Sequence, residues 1–128
     1  MNFFAVTISV ITGLAIFAFF YLRREMNKNV NYLSEEEFTS AMRKGQLVDI
    51  RKKEAYNEGH INGSRNIPLV QLTRNYNRLR LDQPVYLACS NGKMSRRAST
   101  MLVSKGFENV YALEGGIENW TKPLKSKK

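Results

Sequence analysis

The chain has 128 residues and 14.7 kDa, room for one compact domain, and carries 20 Lys plus Arg against 11 Asp plus Glu for a formal net charge of +9. A single Cys excludes an intramolecular disulfide framework and, with a single His, any Cys/His zinc cluster built within one chain. A hydrophobic content of 43% with 11% aromatic residues excludes wholesale disorder.

The charges are unevenly placed, since the first Asp, Glu, Lys, Arg or His in the chain is Arg23. Residues 3–22, FFAVTISVITGLAIFAFFYL, open on Phe3 and close on Leu22. As a helix this run spans about 30 Å, the thickness of a bilayer's hydrocarbon core. Thr7, Ser9 and Thr12 can return their hydroxyls to the helix backbone, and Tyr21 stands where an interfacial aromatic belongs. A cleaved secretory signal fits poorly: no Lys or Arg precedes the run, the run is long, and no A-x-A site precedes Arg23. A buried core helix without a polar face would need a larger protein around it. Residues 1–24 are therefore expected to form one transmembrane anchor, meeting membrane lipid through residues 3–22. Arg23, Arg24 and Lys28 follow the span, so the positive-inside rule puts the carboxyl-terminal domain of a single-pass protein in the cytoplasm. A lone thiol stays reduced there.

Residues 25–32 are polar, with three Asn, and read as a linker to a domain covering residues 33–120. Ser34 followed by Glu35, Glu36 and Glu37 is a capping box for a helix reaching about Lys44, and Gly45 stops it. Residues 47–50 suit a buried strand, and residues 53–58 one or two helical turns ended by Gly59. After Pro68, the residues Leu69, Leu72, Tyr76 and Leu79 keep helical spacing. The clearest strand is 85–88, which delivers Cys89 at its end. A helix over 95–105 follows, with Ala98, Met101 and Leu102 facing inward and Gly106 closing it. Residues 109–113 form another strand, and Gly115 and Gly116 turn the chain toward a last short helix near Trp120. Alternating strands and helices define an α/β domain with a largely parallel sheet. Residues 121–128 hold four Lys and read as a flexible basic tail, close enough to anionic lipid to feel it.

Open parallel sheets bind ligands beyond the carboxyl ends of their strands, and CSNGKMS (residues 89–95) lies there, between strand and helix. Gly92 permits a left-handed backbone that turns successive N–H groups toward one centre. A thiol in that loop, with Lys93, Arg96 and Arg97 nearby, sits where its attacking form, the thiolate, is favoured. The competing account makes Cys89 a small apolar residue at a strand end. A tyrosine-phosphatase loop is excluded by spacing, because Cys-x5-Arg would need Arg at position 95, where Ser95 stands, and Arg96 comes one residue late.

The stretches LVDIRKKEAYNEGHINGSRNIPL and VYLACSNGKMSRRASTMLVSKGFENVYALEGGIENW carry D-x-R, E-x-G-H-I-x-G, N-I-P, Cys-x-x-Gly, G-F-x-N-V and G-G-x-x-x-W in that order. Together they resemble a single-domain rhodanese over nearly all of residues 33–120. The resemblance implies a five-stranded parallel sheet flanked by helices, preceded here by the transmembrane helix. It implies sulfurtransferase chemistry at Cys89, with Ser90, Asn91, Gly92, Lys93, Met94 and Ser95 cradling a persulfide and Lys93 and Arg96 binding substrate. The partners expected are a small sulfur donor or a protein persulfide donor, and a thiol or cyanide acceptor. No metal or organic cofactor is needed. Many thiosulfate-using members of the family resemble C-x-x-G-x-R-S, whereas Met94 stands at the Arg position here, with Lys93 beside it as a candidate for the missing charge. Thiosulfate and a persulfide of a protein or small thiol both stay open as donors.

His60 in EGHING is expected to be structural, Asp49 and Arg51 to form a hydrogen-bonded scaffold pair, and Trp120 to pack the last helix on the domain. The basic excess lacks a stripe with interleaved aromatics, so the membrane surface is preferred to nucleic acid as its partner. Two functions compete: a membrane-anchored sulfurtransferase, and a rhodanese-fold adaptor or sensor that binds a partner without turnover. A phosphatase or arsenate reductase on this fold is a third and weaker reading.

Overall fold

The structure is a computed structural model that describes residues 2–28 and 30–126. Its first element, α1 (Phe3–Lys28), contains one stretch, Phe3–Arg24, long and apolar enough to cross a membrane, with a mean hydropathy of 2.4. None of that stretch is buried against the domain. Its hydroxyl residues turn inward on the backbone as expected: Thr7, Ser9 and Thr12 donate to the carbonyls of Phe3, Ala5 and Ile8.

The domain is a sheet of five parallel strands, β1 (Asn31–Leu33), β2 (Gln46–Asp49), β3 (Arg65–Asn66), β4 (Val85–Ala88) and β5 (Val110–Leu113), in the order β1-β5-β4-β2-β3. Four helices flank it: α2 (Glu35–Ala41), α3 (Lys53–Glu58), α4 (Leu69–Arg74) and α5 (Lys93–Ser104). Single 3-10 turns lie at Met42–Lys44, Tyr76–Arg78 and Ile117–Asn119. The α/β fold expected from alternating periodicity is thus present.

The period of two along the strands sorts side chains onto two cores. Val85, Leu87 and Cys89 join Val48, Leu72, Ala98 and Leu102 on one face of the sheet. Tyr86 and Ala88 join Phe38, Met42, Leu47 and Leu113 on the other. Because β4 pairs with β2 and β5 and is covered on both faces, every one of its residues is buried. From β2 the chain winds outward to β3, and from β4 it winds the opposite way to β5. The carboxyl ends of β2 and β4 therefore flank the switch point of the sheet.

Ser34 accepts from the Glu37 N–H while Glu37 reaches back to the Ser34 N–H, so the capping box forms as read. Asp49 is fully buried, Arg51 is 9% exposed, and two guanidinium nitrogens meet the carboxylate at 2.8 to 3.2 Å. Arg51 also donates to the Gly59 carbonyl, and Asn66 donates to the Asp49 and Arg51 carbonyls. This network ties β2, α3 and β3 together. His60 is buried with its ring stacked on Tyr56 and its Nδ1 2.7 Å from the Tyr56 carbonyl, a structural placement. Trp120 packs edge-on against Phe38.

Several boundaries differ from expectation. Residues 31 and 32, read as linker, belong to β1, because their backbone pairs with Tyr111 and Ala112 of β5 and no composition signal marks a three-residue edge strand. The strand β3 lies within the N-I-P motif and is two residues long, too short to show alternation. Helix α5 starts at Lys93 rather than 95 because Gly92, at φ +92°, already serves as its cap. The tail is held over residues 121–126: Thr121 and Lys122 donate backbone N–H groups to Glu35, Lys122 approaches Glu36 at 3.6 Å, and Lys125 bridges with His60. Met1, Asn29, Lys127 and Lys128, which fall in the expected anchor, linker and tail, lie outside the described residues.

Asp49→Ala leaves Arg51 without its carboxylate and is expected to lower stability by about 3 kcal/mol in urea unfolding of the domain. The Thr121 backbone N–H, first among several donors, holds the Glu35 carboxyl below the ordinary carboxylate range. A carboxyl lowered in the folded state contributes stability above its unfolded value and loses it as pH falls through the folded one. The protection of the Thr121 amide proton, its exchange relative to an unprotected amide at the same pH, should therefore hold at neutral pH and fall on acidification, and Glu35→Gln should abolish that acid step.

Candidate functional site

Cys89 is the first residue after β4, and its side chain belongs to the core face that also holds Leu87 and Ala98. It is fully buried and unpaired. The chain must turn at once to enter α5, and Gly92 makes the turn in the left-handed region, where a Cβ is strained. That turn aims the Gly92 N–H at the Cys89 Sγ, at 3.0 Å. A backbone donor at the amino terminus of a twelve-residue helix thus meets the sulfur directly.

The rest of the loop divides its work. Asn91 is exposed and its Oδ1 accepts the Lys93 N–H at 3.1 Å, so that donor is engaged locally and does not converge on the sulfur. Ser90 is half-buried; its carbonyl and that of Cys89 accept the N–H groups of Glu118 and Ile117 at 3.0 and 2.8 Å. Gly116 lies so close behind the loop that an added Cβ would strike the Ser90 carbonyl. Lys93 is exposed, as are Arg96 and Arg97. Met94 is half-buried and packs against the core. Ser95 lies fully buried on the inner face of α5, and its Oγ has no hydrogen-bond partner among the described residues.

An open cleft of about 590 Å³ lies over this loop, with Asn91, Gly92, Lys93, Arg96 and Arg97 on one side and Glu114 and Gly115 on another. Tyr32 of β1 and Arg23 of α1 complete it. Cys89, Ser90, Met94 and Ser95 do not line it, so the sulfur sits behind the loop and the cations in front. Tyr32 bridges the two regions: its hydroxyl is 3.4 Å from the Gly92 carbonyl. Burial raises the Tyr32 phenol above its ordinary value, the Arg96 charge opposes that, and Cys89 reinforces it. No group of three or more His, Cys, Asp or Glu that could hold a metal occurs among the described residues.

Tyr32, Glu114 and Gly116 had no part in the site as read from sequence, and Arg23 had been read for orientation alone. Glu114 was findable, because it follows β5 at the same carboxyl edge where Cys89 follows β4. Tyr32 was hidden in a segment read as linker.

A profile of the rhodanese-like domain family matches residues 34–123, and the chain belongs to this family. Over 96 residues, 75% of this chain and 76% of the relative, it is 46% identical to YqhL of Bacillus subtilis, an uncharacterized protein. The thiosulfate sulfurtransferase GlpE of Pseudomonas fluorescens is 42% identical over 74 residues, 58% of this chain and 68% of the relative. Among solved structures, the reduced Bacillus anthracis CoADR-RHD superposes with a TM-score of 0.69 at 28% identity, covering 73% of this chain and 17% of that one. A rhodanese-like domain protein from Staphylococcus aureus gives 0.69 at 24% identity, covering 77% and 99%, a likeness of fold.

Since Tyr32 covers Gly92 from the cleft side, Tyr32→Ala should expose the sulfur. Alkylation of Cys89 by iodoacetamide, followed by mass spectrometry, is expected to run several-fold faster in that variant, with α5 intact by circular dichroism.

Proposed function

We propose that the chain is a membrane-anchored sulfurtransferase that carries sulfane sulfur as a persulfide on Cys89. The observation that carries the reading is the Gly92 N–H held 3.0 Å from the Cys89 Sγ at the carboxyl end of the central strand. The family membership and the likeness to GlpE, named a thiosulfate sulfurtransferase, support it.

In the first step the Cys89 thiolate attacks the outer sulfur of a donor. The donor's S–S bond breaks, a new S–S bond forms on Cys89, and the donor leaves as sulfite from thiosulfate or as a thiolate from a persulfide. In the second step an acceptor thiolate or cyanide attacks the outer sulfur and Cys89 leaves as thiolate, so electrons balance without an external oxidant. Two displacements replace one, as in nucleophilic catalysis generally. The persulfide is anionic, and the Gly92 N–H is the donor best placed to stabilise it. Lys93 and Arg96 line the cleft and would attract an anionic donor. With Met94 packed on the core, no planar guanidinium occupies the loop at that position, and Lys93 offers only a point charge. Persulfide donors are therefore expected to serve better than thiosulfate.

The apolar, unburied span Phe3–Arg24 supports the anchor, and the Arg23, Arg24 and Lys28 charges support a cytoplasmic domain. Full burial of the Cys89 sulfur favours one second reading, an adaptor that binds at the cleft without turnover.

The test is the intact mass of the full chain after incubation with thiosulfate or a small persulfide, beside Cys89→Ser. Gain of one sulfur by the wild type alone, and its loss on adding a thiol, is the expected result. A folded wild type that gains none from either donor sinks the sulfur-carrier reading and leaves the adaptor.

A further inference from the structure

The cleft in front of the loop is larger and more basic than a compact dianion requires. At about 590 Å³ it lies in the range of sites that take whole organic ligands, roughly 300 to 1,000 Å³. Among the described residues, four cations line it, Arg23, Lys93, Arg96 and Arg97, with the carboxylate of Glu114. They come from two separate elements: Arg23 from α1 and the other three from the first turns of α5. A ligand engaging both groups needs more than one acidic substituent. Tyr32, whose ring closes on Gly92, supplies an apolar wall between the loop and the open side. Arg23 and Tyr32 both precede the residues matched by the family profile, 34–123, so this part of the site is contributed by the segment outside the family domain.

We propose that this cleft binds the organic part of a small-molecule persulfide donor bearing two or more acidic groups, and that Arg23 of the anchor helix is one of its binding residues. The inference rests on the sulfur-carrier reading of Cys89 and adds to it the class of donor and a residue that selects it. The transferred sulfur is the terminal atom of that donor. It passes to Cys89 as the donor's S–S bond breaks, and the donor leaves as a polyacidic thiolate. Removing the anchor removes a substrate contact as well as a tether.

The experiment uses the full chain in phosphatidylcholine nanodiscs, so that no anionic headgroup stands in for the ligand. Binding is measured first, by calorimetry with the Cys89→Ser chain and two thiols that differ in charge, mercaptosuccinate and mercaptoethanol. Mercaptosuccinate is expected to bind and mercaptoethanol not. Arg23→Gln should weaken mercaptosuccinate about threefold, the scale of a solvent-exposed ion pair, and added salt should weaken it further. Arg24→Gln removes the same charge from the neighbouring residue, which does not line the cleft, and should leave binding unchanged. Equal binding of the two thiols, or an equal effect of the two Arg variants, overturns the proposal.

Turnover then separates this inference from the one beneath it. With Cys89 restored, the persulfide of mercaptosuccinate should show a lower KM than that of mercaptoethanol, and Arg23→Gln should raise the former alone while leaving kcat unchanged. If both persulfides load Cys89 with the same KM and no dependence on Arg23, the sulfur carrier stands and the donor assignment falls. If mercaptosuccinate binds in an Arg23-dependent way yet neither persulfide loads Cys89, the donor assignment falls together with the sulfur-carrier reading.

Discussion

A strand that is hydrogen-bonded along both edges and covered on both faces has no side chain left over for solvent or substrate. In this fold β4 is that strand, lying between β2 and β5 with all four of its residues buried. Polar chemistry can emerge only where it ends, and it ends at Cys89. Everything near that point answers to the same constraint. The chain must reverse direction within three residues, Gly92 accepts the backbone angle, and the reversal hands the N–H group of this cap residue to the sulfur. The neighbouring ends of β1 and β5 bring Tyr32 and Glu114 to the same edge of the sheet.

Around that edge the domain is braced by polar contacts between segments far apart in sequence. The buried Asp49 and Arg51 join the end of β2 to the turn after α3, and Asn66 caps the carbonyls of both residues. On the opposite flank, Glu35 at the start of α2 gathers Thr121 and Lys122. One carboxylate thus does two jobs. It sits at the positive end of its own helix and anchors the segment that leaves the domain.

The legible parts of the sequence were those where one local rule settles the outcome. The capping box at Ser34, the apolar run ending in Cys89 and the inward stripe of α5 each carry their own signal over consecutive residues. The α/β class followed from their alternation. What stayed hidden depends on pairing across distance. Strand β1 is three residues long and exists because Tyr111, Ala112 and Leu113 lie beside it, so Tyr32 looked like linker. The tail looked like a charged, mobile end because Lys122 and Thr121 give no hint of Glu35, more than eighty residues earlier. At the site, Cys89 and the cations of α5 were singled out from spacing, yet their separation into a sulfur behind the loop and charges in front of it was not anticipated. That division depends on which way each side chain leaves the turn: Met94 and Ser95 inward, Lys93, Arg96 and Arg97 outward.

The loop is not equally stiff in every direction. Behind it, two hydrogen bonds from Ile117 and Glu118 and the close approach of Gly116 to Ser90 leave no room to retreat. In front stands Tyr32, whose ring faces Gly92 and whose hydroxyl meets the Gly92 carbonyl at 3.4 Å. The side closed by Tyr32 is also the cleft side, so a ligand bound there as proposed would arrive along the path that uncovers the sulfur. Under that proposal, occupancy of the cleft and exposure of Cys89 would be linked equilibria. By thermodynamic reciprocity, whatever factor one imposes on the other is returned in full. A ligand that favours the uncovered sulfur is held more tightly once the sulfur is uncovered, and the thiol of an empty protein stays shielded from reagents that have no business there.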